Sequence, residues 1–370
     1  MKILLVAGAR PNFIKIAPLM REMGSYKEIK PLLVHTGQHY DVSMAGQFFR
    51  DLQIPTPNVS LDVGSGSHAY QTAEVMRRIE PVLIEERPNI VLVVGDVNST
   101  LAAAVTAAKL HIPVAHVEAG LRSFDRTMPE EINRIVTDAV SDYLFVSEES
   151  GIQNLQNEGV AKDKVHFVGN VMIDSLETSR QAWARSLIRH RLGLEKRNYG
   201  VVTLHRPANV DNAAVLRGLL SALGAVAREM PIVFPVHPRT RKQLERVVGT
   251  ANVVWQLDGQ VPETGICCME PLGYLDFMAL VSQARLVLTD SGGLQEETSV
   301  LGVPCLTLRE NTERPATVTH GTNRLVGLIP EKIIEVAQKI LRNPPIILAP
   351  PPLWDGRTSG RIVRILKECL

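Results

Sequence analysis

Short runs of β-branched and aliphatic residues alternate with amphipathic stretches along most of this chain. Six such runs occur before residue 170, and five more follow after the pattern restarts at Tyr199. They read KILLVAG, PLLVHTG, NIVLVVGD, VAHVEAG, DYLFVS and KVHFVGN, then YGVVTLH, PIVFPVHP, NVVWQ, RLVLTD and VPCLTL. Because strands joined by helices pair in parallel, this alternation predicts an α/β protein with two parallel sheets.

The length of the chain supports two domains. Its 370 residues exceed the roughly 250 to 300 at which a single core stops growing. The charged stretch 171–191 has no strand signal and predicts a helix that bridges the two sheets. The proline-rich tract 343–354 predicts an extended strap, and the amphipathic segment 360–370 predicts a last helix.

The composition argues against partners, such as nucleic acid, that a protein attracts through a strong overall electrostatic field. Hydrophobic residues make up 45% of the chain, charged residues 21%, and the net charge is +1. We therefore expect neither nucleic acid nor a membrane as a partner, and we expect any anionic ligand to be held locally. The first apolar run ends at Gly8, and no apolar stretch approaches the roughly 20 residues of a spanning helix. We predict a cytoplasmic protein.

Motifs for metals and redox cofactors are missing from the sequence. Its four cysteines have neither zinc spacing nor the pattern of a disulfide framework. No GxGxxG follows the first strand, no Walker A lysine motif occurs, and the histidines are scattered singly. We therefore expect no metal and no nicotinamide cofactor, and we interpret the cysteines as reduced and structural.

Polar residues end four successive strands of the first sheet. They are Arg10, Gln38 with His39, Asp96 and Glu118. In open parallel sheets, ligands bind beyond the carboxyl ends of the strands. One such residue is commonly a loop residue or a helix cap, but four together favour a functional edge.

Each carboxylate of this edge also has a structural interpretation. Asp96 could cap the following helix, as Asn98 or Ser99 could. Glu118 follows an apolar strand and needs a partner, for which Arg122 is one candidate. Glu130, after Pro129 in the first turn of a predicted helix, could simply favour the helix dipole.

Taken together, Asp96, Glu118 and Glu130 predict proton chemistry at a carbon atom. Three carboxylates in one cleft shift one another's pKa values apart, and this supplies both an acid and a base.

A second set of polar residues follows the strands of the second sheet. A strand ends at Asp290, and Ser291, Gly292 and Gly293 would present backbone N–H groups at a helix N-terminus, where phosphate oxygens bind. Small residues also allow a tight turn there. Glu297 could accept hydrogen bonds from a ribose or favour the helix dipole.

Two histidines and an arginine stand at neighbouring strand ends of the same sheet. His205, His237 and Arg314 would hydrogen-bond a diphosphate, and Arg314 would do so through two N–H groups. Phe277 is either helix core or a ring that flanks a nucleobase.

Eight segments together resemble the non-hydrolysing UDP-N-acetylglucosamine 2-epimerases across nearly the whole chain. They are GARPNFIK (8–15), TGQHYD (36–41), GDVNST (95–100), HVEAGLRSFD (116–125), MPEEINR (128–134), HRPAN (205–209), TDSGGLQEE (289–297) and TERPAT (312–317). The resemblance implies two facing Rossmann-like domains in the GT-B arrangement, with the active site in the interdomain cleft, and a homodimer. It also implies that the last helix returns to the first domain. With the boundary at the predicted bridging helix, we expect residues 1–170 and 357–370 in the first domain and 171–356 in the second.

The resemblance also implies a reaction and its residues. UDP is eliminated across C1 and C2 to give a 2-acetamidoglucal, and UDP then adds back with C2 inverted, without a cofactor. By similarity the catalytic residues are Asp96, Glu118, Glu130, His205 and Lys15. The substrate-binding residues are Arg10, His237, Phe277, Ser291, Gly292, Gly293, Glu297 and Arg314. Arg10 would hold the diphosphate, Glu297 the ribose and Phe277 the uracil.

The chain departs from the best-known members in ways that leave its substrate open. HRRE becomes HRPA at 205–208, and the loop that helps bind a second, activating UDP-N-acetylglucosamine in bacterial members reads QHYD at 38–41. QHYD with GARP also resembles relatives that epimerise UDP-2,3-diacetamido-glucuronate. The remaining alternatives are a GT-B glycosyltransferase, which the three carboxylates disfavour, and a catalytically silent nucleotide-sugar sensor.

Overall fold

The computed structural model describes residues 1–37, 49–194, 198–247, 253–255, 260–344 and 349–369, with the side chains of Arg10 and Val253 excepted. The chain divides into two compact units. Unit 1 comprises residues 1–178 and 352–370, and unit 2 comprises residues 179–351.

A parallel sheet of seven strands forms the centre of unit 1. The strands are β1 (Lys2–Ala7), β2 (Lys30–His35), β3 (Val59–Ser60), β4 (Ile90–Val94), β5 (Val114–Ala119), β6 (Tyr143–Val146) and β7 (Val165–Phe167). They lie in the order β3-β2-β1-β4-β5-β6-β7. This order places the ends of β1, β4 and β5 side by side.

Unit 2 contains a second seven-stranded parallel sheet. Its strands are β8 (Gly200–Thr203), β9 (Ile232–Pro235), β10 (Val253–Trp255), β11 (Ile266–Met269), β12 (Leu286–Thr289), β13 (Cys305–Thr307) and β14 (Asn323–Leu325). They lie in the order β10-β11-β9-β8-β12-β13-β14. The ends of β9, β8, β12 and β13 are therefore neighbours.

Helices alternate with the strands in both units. Those of unit 1 are α1 (Arg10–Met23), α2 (His68–Glu86), α3 (Asn98–Lys109), α4 (Pro129–Val140), α5 (Glu149–Asn157) and α6 (Val171–Thr178). Those of unit 2 are α7 (Arg180–Ala184), α8 (Ile188–Arg191), α9 (Pro207–Val210), α10 (Ala213–Val226), α11 (Pro238–Val247), α12 (Tyr274–Val281), α13 (Gly292–Leu301), α14 (Ala316–Thr319) and α15 (Pro330–Arg342). The last helix, α16 (Thr358–Cys369), lies in unit 1.

The central strands are buried throughout, as expected where helices cover both faces of a parallel sheet. All five residues of β4 and all six of β5 are buried. This explains why these strands were recognisable as unbroken apolar runs, and all eleven predicted strands are present. The prediction omitted β3, β11 and β14. β3 has only two residues, and β14 carries two polar residues out of three.

The predicted bridging helix over 171–191 is wrong. The segment forms three short helices, α6, α7 and α8. α6 is held within unit 1, because Asp174 accepts hydrogen bonds from the backbone N–H groups of Thr358 and Ser359 at 3.0 and 2.6 Å. Unit 1 therefore extends to Thr178 and takes up the chain again at Pro352, a few residues from the predicted boundaries at 170/171 and 356/357.

The C-terminal segment packs against unit 1 through buried contacts. α16 lies against α1 and α6. The indole N–H of Trp354 donates to the backbone oxygen of Ser147 at 2.9 Å, and the Trp354 side chain is buried. Across the described ranges, no helix combines the length and the apolar character needed to cross a membrane.

Candidate active site

The turn after β4 presents Asp96 at the carboxyl edge of the first sheet. The N-cap residue of α3 is Val97, and it makes no side-chain cap hydrogen bond, so the alternative that Asp96 is the helix cap is wrong. Its carboxylate pairs instead with Arg134, at 2.7 Å between Oδ2 and Nη2. The Asp96 side chain is 26% exposed, so a ligand can reach it.

Helix α4 holds this turn from the side. The Asn133 amide donates to the backbone oxygen of Asp96 at 2.8 Å. Arg134 bridges Asp96 and Glu131, whose Oε2 is 2.5 Å from Nη1. Glu131 in turn accepts the backbone N–H groups of Ser123 and Phe124 and thereby fixes the loop that precedes the helix.

Glu118 forms a buried ion pair with Lys15. The two side chains are 3% and 4% exposed, and they lie on β5 and α1. A Cβ atom added at Gly95 would be 2.9 Å from Lys15 Nζ and 3.5 Å from Glu118 Oε2, so the pair lies one residue from Asp96. The suggestion that Arg122 is the partner of Glu118 is wrong, because Arg122 pairs with Asp138 and Glu158.

The backbone at Glu118 explains how a strand residue turns toward this edge. Its φ is +72°, a left-handed conformation that is unusual for any residue but glycine. The pairing of β5 with β6 shifts register between Val117 and Ala119, which marks an irregularity at Glu118. Such irregular positions redirect side chains and occur often beside active sites.

Glu130 lies in the first turn of α4, beside Glu131 and four residues before Arg134. It is half-buried, and within the described ranges its carboxylate has neither a hydrogen bond nor an ion pair. Residues four apart on a helix share one face, so Glu130 and Arg134 face the same way. The fold thus brings Lys15, Asp96 and Glu118 together and places Glu130 on the helix that holds Asp96.

In unit 2, His205 and His237 follow the neighbouring strands β8 and β9. Their ring centroids are 6.1 Å apart. Nδ1 of His205 is 2.8 Å from Oδ1 of Asp290. The other carboxylate oxygen, Oδ2, accepts the backbone N–H groups of His205 and Arg206. Burial would raise the pKa of Asp290, but its hydrogen bonds and the charge of His205 lower it overall. Asp290 therefore holds the His205 turn as a carboxylate.

The N-terminus of α13 lies directly beside Arg314. Ser291 is the N-cap residue, its side chain makes no cap hydrogen bond, and Gly292 and Gly293 open the helix. A Cβ atom at Gly292 would be 2.8 Å from Nη1 of Arg314. Arg314 is buried and pairs with Glu296 and Glu313 at 2.6 and 2.5 Å. Backbone N–H groups and a guanidinium thus converge, as an anion requires.

Glu297 contacts α12, the helix that carries Phe277. Glu297 is 5% exposed and accepts a hydrogen bond from the Tyr274 hydroxyl at 3.2 Å. Burial raises the pKa of Glu297 to about 8. Phe277 is three residues after Tyr274 on α12 and is half-buried, so it is not core. Residues three apart on a helix share one face, so Phe277 lies on the face of α12 that carries Tyr274, the partner of Glu297.

Some predicted residues fall outside the description. The side chain of Arg10 and all of Gln38 and His39 lie outside the described residues. Within the described ranges, no three His, Cys, Asp or Glu side chains form a group that could hold a metal ion.

Several residues of the site were not recognised from the sequence. Arg134 was only part of a motif, although its position four residues after Glu130 signals a shared helix face. The sequence marks Asp290 only as the end of a strand, and it carries no signal for Tyr274. His116 and Asp138, which are 22 residues apart and bonded at 2.6 Å, gave no local signal.

Comparison with known proteins supports the family resemblance that the sequence motifs indicate. A family model described as UDP-N-acetylglucosamine 2-epimerase matches residues 21–367. A Methanococcus maripaludis protein named UDP-N-acetylglucosamine 2-epimerase homolog is 44% identical over 371 residues, covering 100% of both chains. A Pseudomonas aeruginosa protein, UDP-2,3-diacetamido-2,3-dideoxy-D-glucuronate 2-epimerase, is 43% identical over 373 residues, again covering 100% of both.

A solved structure extends this similarity to the fold. The crystal structure of Methanocaldococcus jannaschii UDP-GlcNAc 2-epimerase in complex with UDP-GlcNAc and UDP matches with a TM-score of 0.89 and 40% identity, covering 100% of both chains. The predicted pair of Rossmann-like domains is thereby confirmed. The chain belongs to the UDP-N-acetylglucosamine 2-epimerase family of isomerases.

Proposed function

We propose that this protein inverts C2 of UDP-N-acetylglucosamine to give UDP-N-acetylmannosamine. A base removes the C2 proton, the C1–O bond to UDP breaks, and the electron pair forms the double bond of a 2-acetamidoglucal. UDP then adds back at C1 while an acid delivers a proton to the opposite face of C2. Proton removal needs a positioned base, and the departing diphosphate needs fixed donors.

The observation that carries the proposal is the group of acids in unit 1. Glu118 is buried against Lys15, Asp96 is partly exposed against Arg134, and Glu130 is half-buried. Carboxylates in such different surroundings can serve as acid and base at the same pH. We assign this role to the three together, with Lys15 orienting Glu118.

Unit 2 supplies the groups that we propose hold UDP. His205, Arg314 and the N–H groups of Ser291, Gly292 and Gly293 would bind the diphosphate, together with Arg10 of unit 1. His237 would line the same site, since its ring lies beside His205. Glu297 would accept hydrogen bonds from the ribose, and Phe277 would flank the uracil.

A second substrate has specific support. The Pseudomonas aeruginosa relative that is 43% identical carries the name of a UDP-2,3-diacetamido-glucuronate 2-epimerase. This sequence identity lies close to the 44% identity of the UDP-N-acetylglucosamine 2-epimerase homolog. Identity therefore does not separate the two substrates, and both belong in one assay.

The test is an NMR assay in D2O with each UDP-sugar in turn. We expect UDP-N-acetylmannosamine that carries deuterium at C2 from UDP-N-acetylglucosamine. A product that keeps the original hydrogen would contradict exchange of the C2 proton with solvent, and release of free sugar would indicate hydrolysis instead. Turnover of the diacetamido-glucuronate alone would transfer the function to that substrate. Glu118→Gln, which keeps the shape and removes the charge, should slow turnover by about 10²-fold or more.

The resemblance also supports finer proposals about the protein's setting. We propose a cytoplasmic homodimer whose product feeds cell-surface polysaccharide synthesis, without a nucleic-acid or membrane partner. Light scattering during size exclusion checks the dimer, and a mass of about one chain would contradict it.

A further inference from the structure

The ring of His116 is buried between two acceptors in unit 1. Nδ1 is 2.6 Å from Oδ1 of Asp138, and Nε2 is 2.8 Å from the backbone oxygen of Gly95. The residue is 0% exposed. A carbonyl oxygen can only accept, and so can a carboxylate, so the ring donates from both nitrogens and carries a positive charge.

Asp138 is held as a carboxylate on the other side of this contact. Its Oδ2 accepts the backbone N–H of Gly120 at 3.0 Å and is 2.7 Å from Nη2 of Arg122. Burial would raise the pKa of Asp138, but the charges and hydrogen bonds of His116 and Arg122 lower it overall. The His116–Asp138 pair is therefore a buried ion pair with further backbone partners.

The two ends of the pair touch the two turns that carry the candidate acids. Gly95 directly precedes Asp96, and Gly120 follows Glu118 by two residues. The backbone is left-handed at Gly95 (φ +68°), Glu118 (φ +72°) and Gly120 (φ +80°). Left-handed backbone at a residue other than glycine persists only where surrounding contacts fix it.

A single connected set of hydrogen bonds therefore joins both turns to helix α4. Asp138 is the α4 residue that reaches Gly120, and Asn133 is the α4 residue that reaches Asp96 at its backbone oxygen. His116 links Asp138 to Gly95. The Asp96 turn is thus held at two successive carbonyl groups.

We propose that His116 and Asp138 are positioning residues of the epimerase site, and that they set the separation of Asp96 from Glu118 through a buried imidazolium–carboxylate pair. Neither side chain needs to touch the sugar. A neutral ring would donate to only one of its two acceptors and leave the other buried and unpaired. The proposal deepens the proposed function and rests on it for its catalytic consequence, but not for the protonation of the ring.

The kinetic test separates positioning from simple support of the fold. In His116→Gln and Asp138→Asn, we expect kcat to fall on the order of 10-fold to 10²-fold, because small displacements of reacting groups cost this much. The KM for the UDP-sugar and the Kd of UDP should stay within about 2-fold, since all the proposed UDP ligands except Arg10 lie in unit 2. A kcat equal to that of the wild type in folded His116→Gln would overturn the proposal.

A matched control lies on the outside of the same set of contacts. Glu158 pairs with Arg122 at 2.6 Å, and its side chain is 38% exposed. Glu158→Gln removes a charge from the cluster without removing a contact to either turn. We expect its kcat to equal that of the wild type. A loss as large as that of His116→Gln would contradict the proposal, because it would show that kcat does not depend specifically on the contacts to the two turns.

A second measurement needs no variant and no activity. Neutron diffraction from wild-type crystals grown in D2O at pH 7.5 should show deuterium on both ring nitrogens of His116. Deuterium on only one nitrogen would overturn the proposal whether or not the protein is an epimerase. If both nitrogens carry deuterium but no UDP-sugar is epimerised, the proposed function fails, and with it the catalytic role of the pair.

Discussion

The guanidinium of Arg134 donates two hydrogen bonds to one oxygen of Asp96, from Nε at 3.1 Å and from Nη2 at 2.7 Å. The third nitrogen of the same group donates to Glu131 at 2.5 Å. Glu131 lies next to Glu130 in the first turn of α4. Arg134 therefore fixes the orientation of Asp96 relative to the helix that carries Glu130.

Arg134→Lys should lower kcat by about 10-fold or more while the Kd of UDP stays close to that of the wild type. A lysine ammonium keeps the charge but cannot hold Asp96 and Glu131 in one planar fork. Steady-state kinetics and UDP titration calorimetry measure the two quantities. An unchanged kcat would show that charge alone orients Asp96.

Much of this site could be predicted because parallel sheets place function at strand ends. Asp96, His205 and Ser291 follow strands that the apolar runs made visible, and Glu118 lies at the end of another, so their position at the carboxyl edge of each sheet follows from topology. The apolar runs show where each strand ends, and parallel strands end at the same edge of the sheet. Neither observation shows which side chains contact one another at that edge.

The contacts within the site could not be predicted in the same way. Arg122, four residues away, was one candidate partner for Glu118, whereas the partner in the structure, Lys15, lies 103 residues earlier on α1. Such pairings depend on how a helix packs against a sheet, and spacing along the chain carries no information about this. The prediction of a bridging helix is wrong for a similar reason. Buried hydrogen bonds from the first residues of α16 to Asp174 hold α6 in unit 1, and these contacts join residues that are far apart in the sequence.

Asp290→Asn should weaken UDP binding and destabilise the protein by about 1–3 kcal/mol. Asp290 is 0% exposed, and an amide cannot accept from the ring and backbone of His205 and from the Arg206 N–H as a carboxylate does. Urea denaturation gives the free energy of unfolding, and calorimetry gives the Kd. If stability falls and the Kd does not, Asp290 supports the fold without orienting His205.

Gly292→Ala should raise the Kd of UDP several-fold. The new methyl group would meet Arg314 Nη1 at 2.8 Å and Glu313 Oε1 at 2.9 Å, and Arg314 cannot move without straining its ion pairs. Gly224→Ala is the matched control, since nothing lies within 4 Å of its Cβ position in α10. That change should leave UDP binding intact and stabilise the helix by up to about 1 kcal/mol. Equal Kd values for both variants would remove the argument for close approach at Gly292.

Glu297→Gln should become more stable relative to the wild type as the pH rises from 5.5 to 7.5. Burial raises the pKa of Glu297 from 4.5 to about 8, so between these values the folded protein holds a proton that the unfolded chain has released. Stability of the wild type therefore falls with pH across this window, by up to about 1.4 kcal/mol per pH unit. Glutamine does not titrate and lacks this loss.

Urea denaturation of wild type and Glu297→Gln at pH 5.5, 6.5 and 7.5 checks this difference. The Tyr274 hydroxyl lowers the pKa of Glu297 through its hydrogen bond, against the larger effect of burial. Tyr274→Phe should therefore move the upper end of the window above pH 8. A stability difference between Glu297→Gln and wild type that is constant with pH would mean that Glu297 is already ionised in the folded protein across this window.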